Sequence, residues 1–548
     1  MSVLENEITQ TLSIFNALLE IAKSALRERA DEKGRLPHED QYAAHSFAWV
    51  ATMVEAIRHM LKWHQSLKGR GRAGEVEDLL LQLSCGEYAG QILGGIPMNQ
   101  GEMARLSDFL PRVKTILADE AANIHDFASR ANSSHARQRL SGIMTEMSGS
   151  PGFGDCGLDE ETEDIRMQIR RLTAEKVTPQ AQQWHLDNAF IPGELVTQLA
   201  DMGIFGLTVP EEFGGAGLSK TVMCVVSEEL SRGFLGVGSL ATRSDIASEL
   251  VFGAGTASQK DELLPKIASG EFWPTAVFTE PDAGSDLGAL ATRAIREDGG
   301  YRLDGAKTWI THAARANFMT ILARTDPQSN DHRGLSILLA EKQAGGTETP
   351  FPDAGISGSE IDVIGYRGMK EYSLNFDGFW VPAQGLLGGV EGLGFRQLMA
   401  TFESARIQTA ARAIGVAQSA LDVALDYARQ RRQFGRTLLE FPRVASKIAM
   451  MAAEIMACRQ LTYFAARRKD SGQRCDVQAG MAKLLAARAA WAAADNGVQI
   501  HGGNGFALGC PASRILCDAR ILSIFEGASE IQTEVIASRL LSDTAPGP

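Results

Sequence analysis

From Leu4 to about Leu140 the apolar positions return at three- and four-residue steps. The clearest stripe is Ala43, Phe47, Val50, Val54, Ile57 and Leu61, which predicts helices that each bury one face. The stretch Ser148-Gly149-Ser150-Pro151-Gly152-Phe153-Gly154-Asp155 is dense in chain breakers and reads as a linker, with a domain boundary near 155. Helical periodicity resumes over 158–270. Between 275 and 385 it gives way to short apolar or alternating runs, such as Phe318-Met319-Thr320-Ile321-Leu322-Ala323 and Leu335-Ser336-Ile337-Leu338-Leu339, separated by Gly, Asp and Pro. From Gly394 to Leu541 long amphipathic helices return, with alanine-rich faces at 409–428, 445–468 and 477–495. The order helical, helical, β, helical predicts an α+β chain with segregated layers, divided at 1–150, 158–272, 273–390 and 391–548. Gln91-Ile92-Leu93-Gly94-Gly95-Ile96 echoes Gln499-Ile500-His501-Gly502-Gly503-Asn504. Residues 1–150 therefore read either as a worn copy of the C-terminal bundle or as a chance likeness around a helix-ending Gly-Gly.

Length and charge narrow the classes. At 548 residues, with 44% hydrophobic and 22% charged positions, the chain calls for two to four packed units. No run of eighteen apolar residues suggests a membrane span. A net charge of −13 argues against general nucleic-acid binding. The start, with Glu5 and Glu7 and no basic-then-apolar leader, points to a cytoplasmic protein. Seven scattered cysteines without a CxxC pair predict neither disulfides nor a metal site.

Four segments carry chemistry. In Phe278-Thr279-Glu280-Pro281-Asp282-Ala283-Gly284-Ser285-Asp286, Pro281 and Gly284 favour a turn whose amides can face an anion or a carbonyl-rich ring, or simply join two strands. Lys307-Thr308-Trp309-Ile310-Thr311-His312 places a tryptophan in a predicted strand, where core packing is the ordinary role. Tyr427-Ala428-Arg429-Gln430-Arg431-Arg432-Gln433-Phe434-Gly435-Arg436 reads as a basic helix end closed by Gly435. The last segment pairs Gln499-Ile500-His501-Gly502-Gly503-Asn504-Gly505-Phe506 with Ile524-Phe525-Glu526-Gly527-Ala528-Ser529-Glu530-Ile531-Gln532. By itself, Glu526 is a solvated loop charge.

Taken in order from about 158 to 541, these segments resemble the acyl-CoA dehydrogenase family. The resemblance implies that family's fold: a helical domain, a barrel-like middle β-domain and a C-terminal four-helix bundle, here with an extra N-terminal helical domain. It also implies FAD as cofactor. Phe278, Thr279, Gly284 and Ser285 would then bind the flavin, Ser285 also reaching the CoA arm. Trp309 and Ile310 would line the ring, and the Thr311 hydroxyl would reach flavin N5. Arg431, Gln433 and Phe434 would contact the FAD of a neighbouring subunit, making a homodimer or homotetramer part of cofactor binding. Gln499, Gly502, Gly503, Ala528 and Glu530 would also contact FAD, the glycines permitting close approach to its adenylate part. His312 stands where the family has Asn, Phe441-Pro442 where it often has His-Gln, and Ala528 where it has Thr.

Glu526 occupies the position of the family's catalytic base, and Ala405 fills the slot from which some branched-chain members supply it instead. An α-C–H beside a thioester is a very weak acid, so this chemistry needs a carboxylate made basic by burial and a stabilised enolate. Glu403 and Arg406 would hold the CoA end, or pair with a neighbouring helix. The extension, the length and Lys370-Glu371-Tyr372 further resemble members that oxidise a short branched dicarboxylic acyl-CoA, (2S)-methylsuccinyl-CoA, to mesaconyl-CoA, with electron-transferring flavoprotein as electron partner. A second carboxylate needs a buried cation. Arg243 is the candidate, with an internal pair to Asp245 as its alternative. The rival readings are another short-chain or branched acyl-CoA dehydrogenase, an acyl-CoA oxidase, and a non-catalytic helical scaffold.

Overall fold

The computed structural model describes residues 2–98, 101–117, 120–147 and 153–542, and the chain forms two compact units. The first comprises Met1–Leu172 and Thr409–Pro548, the second Thr173–Gln408.

The first unit is helical. Its opening helix, Val3–Arg27, is started by a reciprocal cap in which the Ser2 hydroxyl accepts from the Glu5 amide and the Glu5 carboxylate accepts from the Ser2 amide. Ile8, Leu12, Phe15, Leu18, Ala22 and Leu26 make its buried stripe. All six residues of the predicted stripe 43–61 are buried on the helix Gln41–Gly69. The helices Pro442–Asp470 and Asp476–His501 bury faces dominated by alanine, which lets neighbouring helix backbones approach closely.

Two details bear on the sequence echo and the linker. The helix Glu75–Gly94 is capped by Gly95 at φ 114°, whereas the helix Asp476–His501 is stopped by Gly502 at φ 59°. The left-handed glycine is therefore second in one Gly-Gly pair and first in the other. Of the predicted linker, residues 148–152 lie outside the described residues. Its end is firmly held, because the Asp155 carboxylate accepts two bonds of 2.6 Å from Arg72 and its carbonyl accepts from Trp63 Nε1 at 2.9 Å.

The second unit places helices on a curled mixed sheet. Its seven strands are β1 (Pro274–Val277), β2 (Arg293–Glu297), β3 (Gly300–Thr311), β4 (Phe318–Arg324), β5 (Leu335–Glu341), β6 (Ile356–Ile361) and β7 (Glu371–Pro382). The order is β1-β4-β2-β3-β7-β6, with β5 paired to β4. β1 and β4 run parallel, while β3 and β7 form a long antiparallel pair. β4 and β5 are buried along six consecutive residues each, mostly apolar apart from Thr320 and Ser336, because both of their faces are covered. Phe318, Leu322, Ile337 and Leu339 pack against helix residues such as Ile246, Leu250 and Leu264. Ile321, Ala323 and Leu338 face the curl with Leu303, Tyr372 and Phe376. Among the described residues, no helix is long and apolar enough to cross a membrane.

Candidate active site

In the second unit, the chain leaving β1 turns at once through Phe278–Ser285, with Glu280 and Ala283 bridged across the turn. One buried ammonium shapes it. Lys307 Nζ donates to the Phe278 carbonyl at 3.0 Å, to the Leu322 carbonyl at 2.8 Å and to Glu280 Oε1 at 2.9 Å. The same carboxylate takes the amides of Ala291 (2.6 Å) and Thr292 (2.9 Å). Burial alone would raise the Glu280 carboxyl, but the Lys307 charge and these amides outweigh it and hold it below the usual carboxylate range. Burial pushes Lys307 down to about 8 against the pull of Glu280. The turn thus keeps a fixed shape with Thr279 half-buried and Gly284 and Ser285 exposed, and nothing crowds the space beside Gly284.

The registry of β3 against β7 slips between Lys307 and Ile310. Trp309 takes up the slip at φ 57° and leaves its side chain 54% exposed, so this strand tryptophan is not a core residue. Ile310 is buried. Thr311 sits between two charges, its Oγ1 lying 2.9 Å from Arg243 Nη2 and 2.9 Å from Glu371 Oε1. A guanidinium only donates and a carboxylate only accepts, so the Thr311 hydroxyl accepts from Arg243 and gives its hydrogen to Glu371. Asp245, the alternative partner for Arg243, is engaged by Lys220 Nζ at 2.9 Å and Thr208 Oγ1 at 2.7 Å. His312 follows at φ 67°, buried with its ring centroid 3.6 Å from that of Trp273. Burial, then the nearby charges of Arg315, Lys342 and Arg243, push its imidazole well below the ordinary histidine range.

Glu403 and Arg406 are half-buried, three residues apart on the helix Gly394–Gln430, and the Arg406 guanidinium lies 5.9 Å from the Phe402 ring. Ala405 between them is buried.

In the first unit the basic segment departs from its expected form. The helix stops at Gln430, and a tight hairpin follows in which Arg432-Gln433 pairs with Arg436-Thr437. Gly435, at φ 80°, is a turn residue of that hairpin and not the helix cap, because the chain must reverse within two residues and takes left-handed geometry at both Phe434 (φ 50°) and Gly435. Phe434 stands at the tip, 91% exposed, beside exposed Gln433 and Arg431. Gln499, Gly502 and Gly503 form an exposed helix end where the space beside both glycines is open. Asn504 there donates to the Tyr427 hydroxyl at 2.9 Å.

Glu526 lies between the helices Pro511–Ile521 and Ser529–Leu541, half-buried, at φ 54°. Gly527 continues the left-handed bend at φ 91°. Three fully buried side chains hold this bend: the Arg412 guanidinium lies 4.9 Å from the Phe525 ring, Gln532 Nε2 donates to the Glu526 carbonyl at 3.4 Å, and Lys483 Nζ donates to the Gly527 carbonyl at 2.7 Å. Ala528 is the N-cap of the following helix and offers no side-chain cap. Glu530 opens onto a small cleft with His45, Trp49 and Arg488. The sequence reading assigned no role to Arg412, Lys483 or Gln532. Lys483 had a visible signal, a lone charge inside Met481-Ala482-Lys483-Leu484-Leu485.

Seven non-glycine residues among those described adopt positive φ, and Trp309, His312, Phe434 and Glu526 are four of them. Strain of this kind persists where the surrounding structure over-determines it, as at ligand sites.

Family models of the acyl-CoA dehydrogenase N-terminal, middle and C-terminal domains match residues 159–271, 275–379 and 392–541. The chain is 59% identical over 529 residues to a (2S)-methylsuccinyl-CoA dehydrogenase of Cereibacter sphaeroides, covering 96% of each chain. It is 35% identical to an acyl-CoA dehydrogenase of Bacillus subtilis (strain 168) over 69% of this chain and 98% of the relative. Among solved structures, a glutaryl-coenzyme A dehydrogenase in complex with glutaryl-CoA superimposes with a TM-score of 0.67 at 31% identity, over 71% of this chain and 98% of the other. With three consecutive domain models in order and a relative matched nearly end to end, the chain belongs to the acyl-CoA dehydrogenase family and is an acyl-CoA dehydrogenase.

Proposed function

We propose that this enzyme is FAD-dependent and oxidises (2S)-methylsuccinyl-CoA to mesaconyl-CoA, passing electrons to an electron-transferring flavoprotein. The residues present fit FAD. Exposed, left-handed Trp309 offers an aromatic face, Gly284, Gly502 and Gly503 leave open space for close backbone approach, and Phe434 projects from its hairpin toward solvent, available to a neighbouring subunit. When bound, FAD supplies the acceptor for the hydride that leaves the β-carbon. Glu526 takes the α-proton, and its backbone N–H steadies the thioester oxygen as charge develops there.

One observation carries the choice of substrate. In methylsuccinyl-CoA the second carboxylate is attached directly to the β-carbon, the atom that must approach flavin N5. Thr311 is the residue assigned to N5, and Arg243 places its guanidinium 2.9 Å from the Thr311 hydroxyl. This proximity supports Arg243 as the cation for a β-carboxylate, since a charge-assisted pair would favour a dicarboxylic ester over a plain acyl chain. The relative of 59% identity carries this activity in its name.

The test is anaerobic bleaching of the bound flavin by methylsuccinyl-, isobutyryl-, butyryl- and glutaryl-CoA. Methylsuccinyl-CoA should bleach fastest. Arg243→Leu should weaken that ester on the order of 10²-fold while changing butyryl-CoA much less. Equal losses for both esters would remove the assignment.

A further inference from the structure

We propose that Lys483 and Gln532 are positioning residues that fix the reactive geometry of Glu526 from behind. The inference rests on the reading of Glu526 as the α-proton acceptor and adds to it the groups that aim it.

The bend is an unlikely one for free chain. Glu526 and Gly527 are consecutive left-handed residues, at φ 54° and 91°, and a glutamate rarely adopts that conformation unless its surroundings impose it. The carbonyls of such a bend lie outside helix and sheet, and where they meet buried side chains they must be satisfied. Lys483 supplies one donor. It is fully buried in the helix Asp476–His501, flanked by buried Ala482 and Leu484, and donates to the Gly527 carbonyl at 2.7 Å. Gln532 supplies the next. It is fully buried on the helix that begins just after the bend and donates to the Glu526 carbonyl at 3.4 Å. The fit is close, because a Cβ added at Gly527 would come within 1.9 Å of Gln532 Nε2.

Both grips act on the backbone on either side of the Glu526–Gly527 peptide. They therefore set the direction of the Glu526 Cα–Cβ bond and with it the placement of its half-buried carboxylate. Loss of either donor releases the bend toward an ordinary conformation and swings the carboxylate away. A displacement of that size costs about 10²-fold in rate when the acceptor must meet one particular C–H bond.

The experiment uses the FAD-loaded enzyme with Lys483→Met, Lys483→Arg, Gln532→Met and, as control, Glu526→Gln. Three quantities are read: flavin content by absorbance, ester affinity by titration, and exchange of the ester's α-hydrogen with solvent deuterium under anaerobic conditions. The expected result is flavin content and ester affinity within about twofold of wild type, with α-exchange and flavin bleaching slowed together by 10- to 100-fold in both Met variants. Lys483→Arg, which keeps a buried donor, should recover at least a third of the lost rate. Wild-type exchange in both Met variants would overturn the proposal, as would a rate loss that merely follows lost flavin. Should Lys483→Met fail to fold, Gln532→Met decides by the same criteria. A Glu526→Gln enzyme that still exchanges normally would overturn the underlying reading of Glu526. An inert Glu526→Gln enzyme beside normal Met variants would overturn the positioning roles alone.

Discussion

His312 should make the second unit sensitive to mild acid, and His312→Asn should remove that sensitivity. The imidazole is buried, its Nε2 has no hydrogen-bond partner among the described residues, and Arg315, Lys342 and Arg243 lie close enough to oppose a further positive charge. In the folded state it therefore stays neutral well below the ordinary histidine value. In the unfolded chain it takes a proton near pH 6.5. Below that pH the unfolded state binds the extra proton, so the sign is fixed: stability is full above about pH 6.5 and falls as the pH drops. Summed from pH 7.5 to 5.0, one such group costs about 2 kcal/mol. For a unit the size of Thr173–Gln408 this is about 4–8 °C in Tm. Asparagine does not titrate and tolerates the left-handed backbone at φ 67° better than histidine does. Urea unfolding of wild type and variant at both pH values isolates the term, because every other titrating group is common to the two proteins. The difference in stability between the proteins should shift by about 2 kcal/mol in favour of Asn on going to pH 5.0. Parallel losses in wild type and variant would mean that His312 gains its proton in the folded state, and the burial argument would fail.

Two further outcomes follow from the same geometry. Ala528→Thr should stabilise the protein by about 1 kcal/mol, since the Ala528 backbone already has N-cap geometry (φ −55°, ψ 155°) and lacks only the side-chain oxygen; an unchanged urea midpoint would contradict this. Glu280→Ala should cost about 3–5 kcal/mol by leaving the Lys307 ammonium buried without its counter-charge. Glu280→Leu combined with Lys307→Met should cost far less than the two single changes added together, and additive losses in chemical denaturation would exclude the coupling.

Regular structure was legible because its signal is periodic. The stripe 43–61 and the runs 318–323 and 335–339 each announce a face, or a pair of faces, that must be buried, and each is buried as expected. The basic segment at 427–436 was misread because a glycine after a helical run fits a helix cap and a hairpin turn equally well; what separates them is the pairing of Arg432-Gln433 with Arg436-Thr437, which leaves no periodic mark in two residues. The predicted linker ends in a residue, Asp155, tied to Arg72 across 83 positions, a contact that local composition cannot announce. Glu526, Trp309 and Thr311 were proposed through resemblance, and Arg243 from the need of a second carboxylate for a cation. The carboxylate that takes the Thr311 hydrogen was not, because Glu371 meets Thr311 only through the register of β3 against β7.

The groups that escaped the sequence reading share a physical cause. Backbone that bends out of helix or sheet to approach a ligand leaves carbonyl oxygens unpaired, and where water is excluded a donor must come from a side chain. An ammonium at the end of a flexible stem carries three donors and can reach several carbonyls at once. Lys307 does so for the turn after β1, Lys342 for the Ala314 carbonyl just beyond His312 and for the carbonyl of its own neighbour Gln343, and Lys483 for Gly527 beside Glu526. Burial pushes both Lys307 and Lys342 down to about 8, a measure of how unfavourable the location is for a charge. A lysine is tolerated there because leaving those carbonyls unsatisfied costs more, and irregular backbone of this kind is kept only where something must come close to it. A lone lysine inside an otherwise apolar stretch, as in Ala482-Lys483-Leu484, is therefore a sequence mark of a strained loop elsewhere in the fold, here the segment assigned to proton abstraction, whereas Lys307 and Lys342 stand beside Thr308 and between Glu341 and Gln343 and carry no such mark.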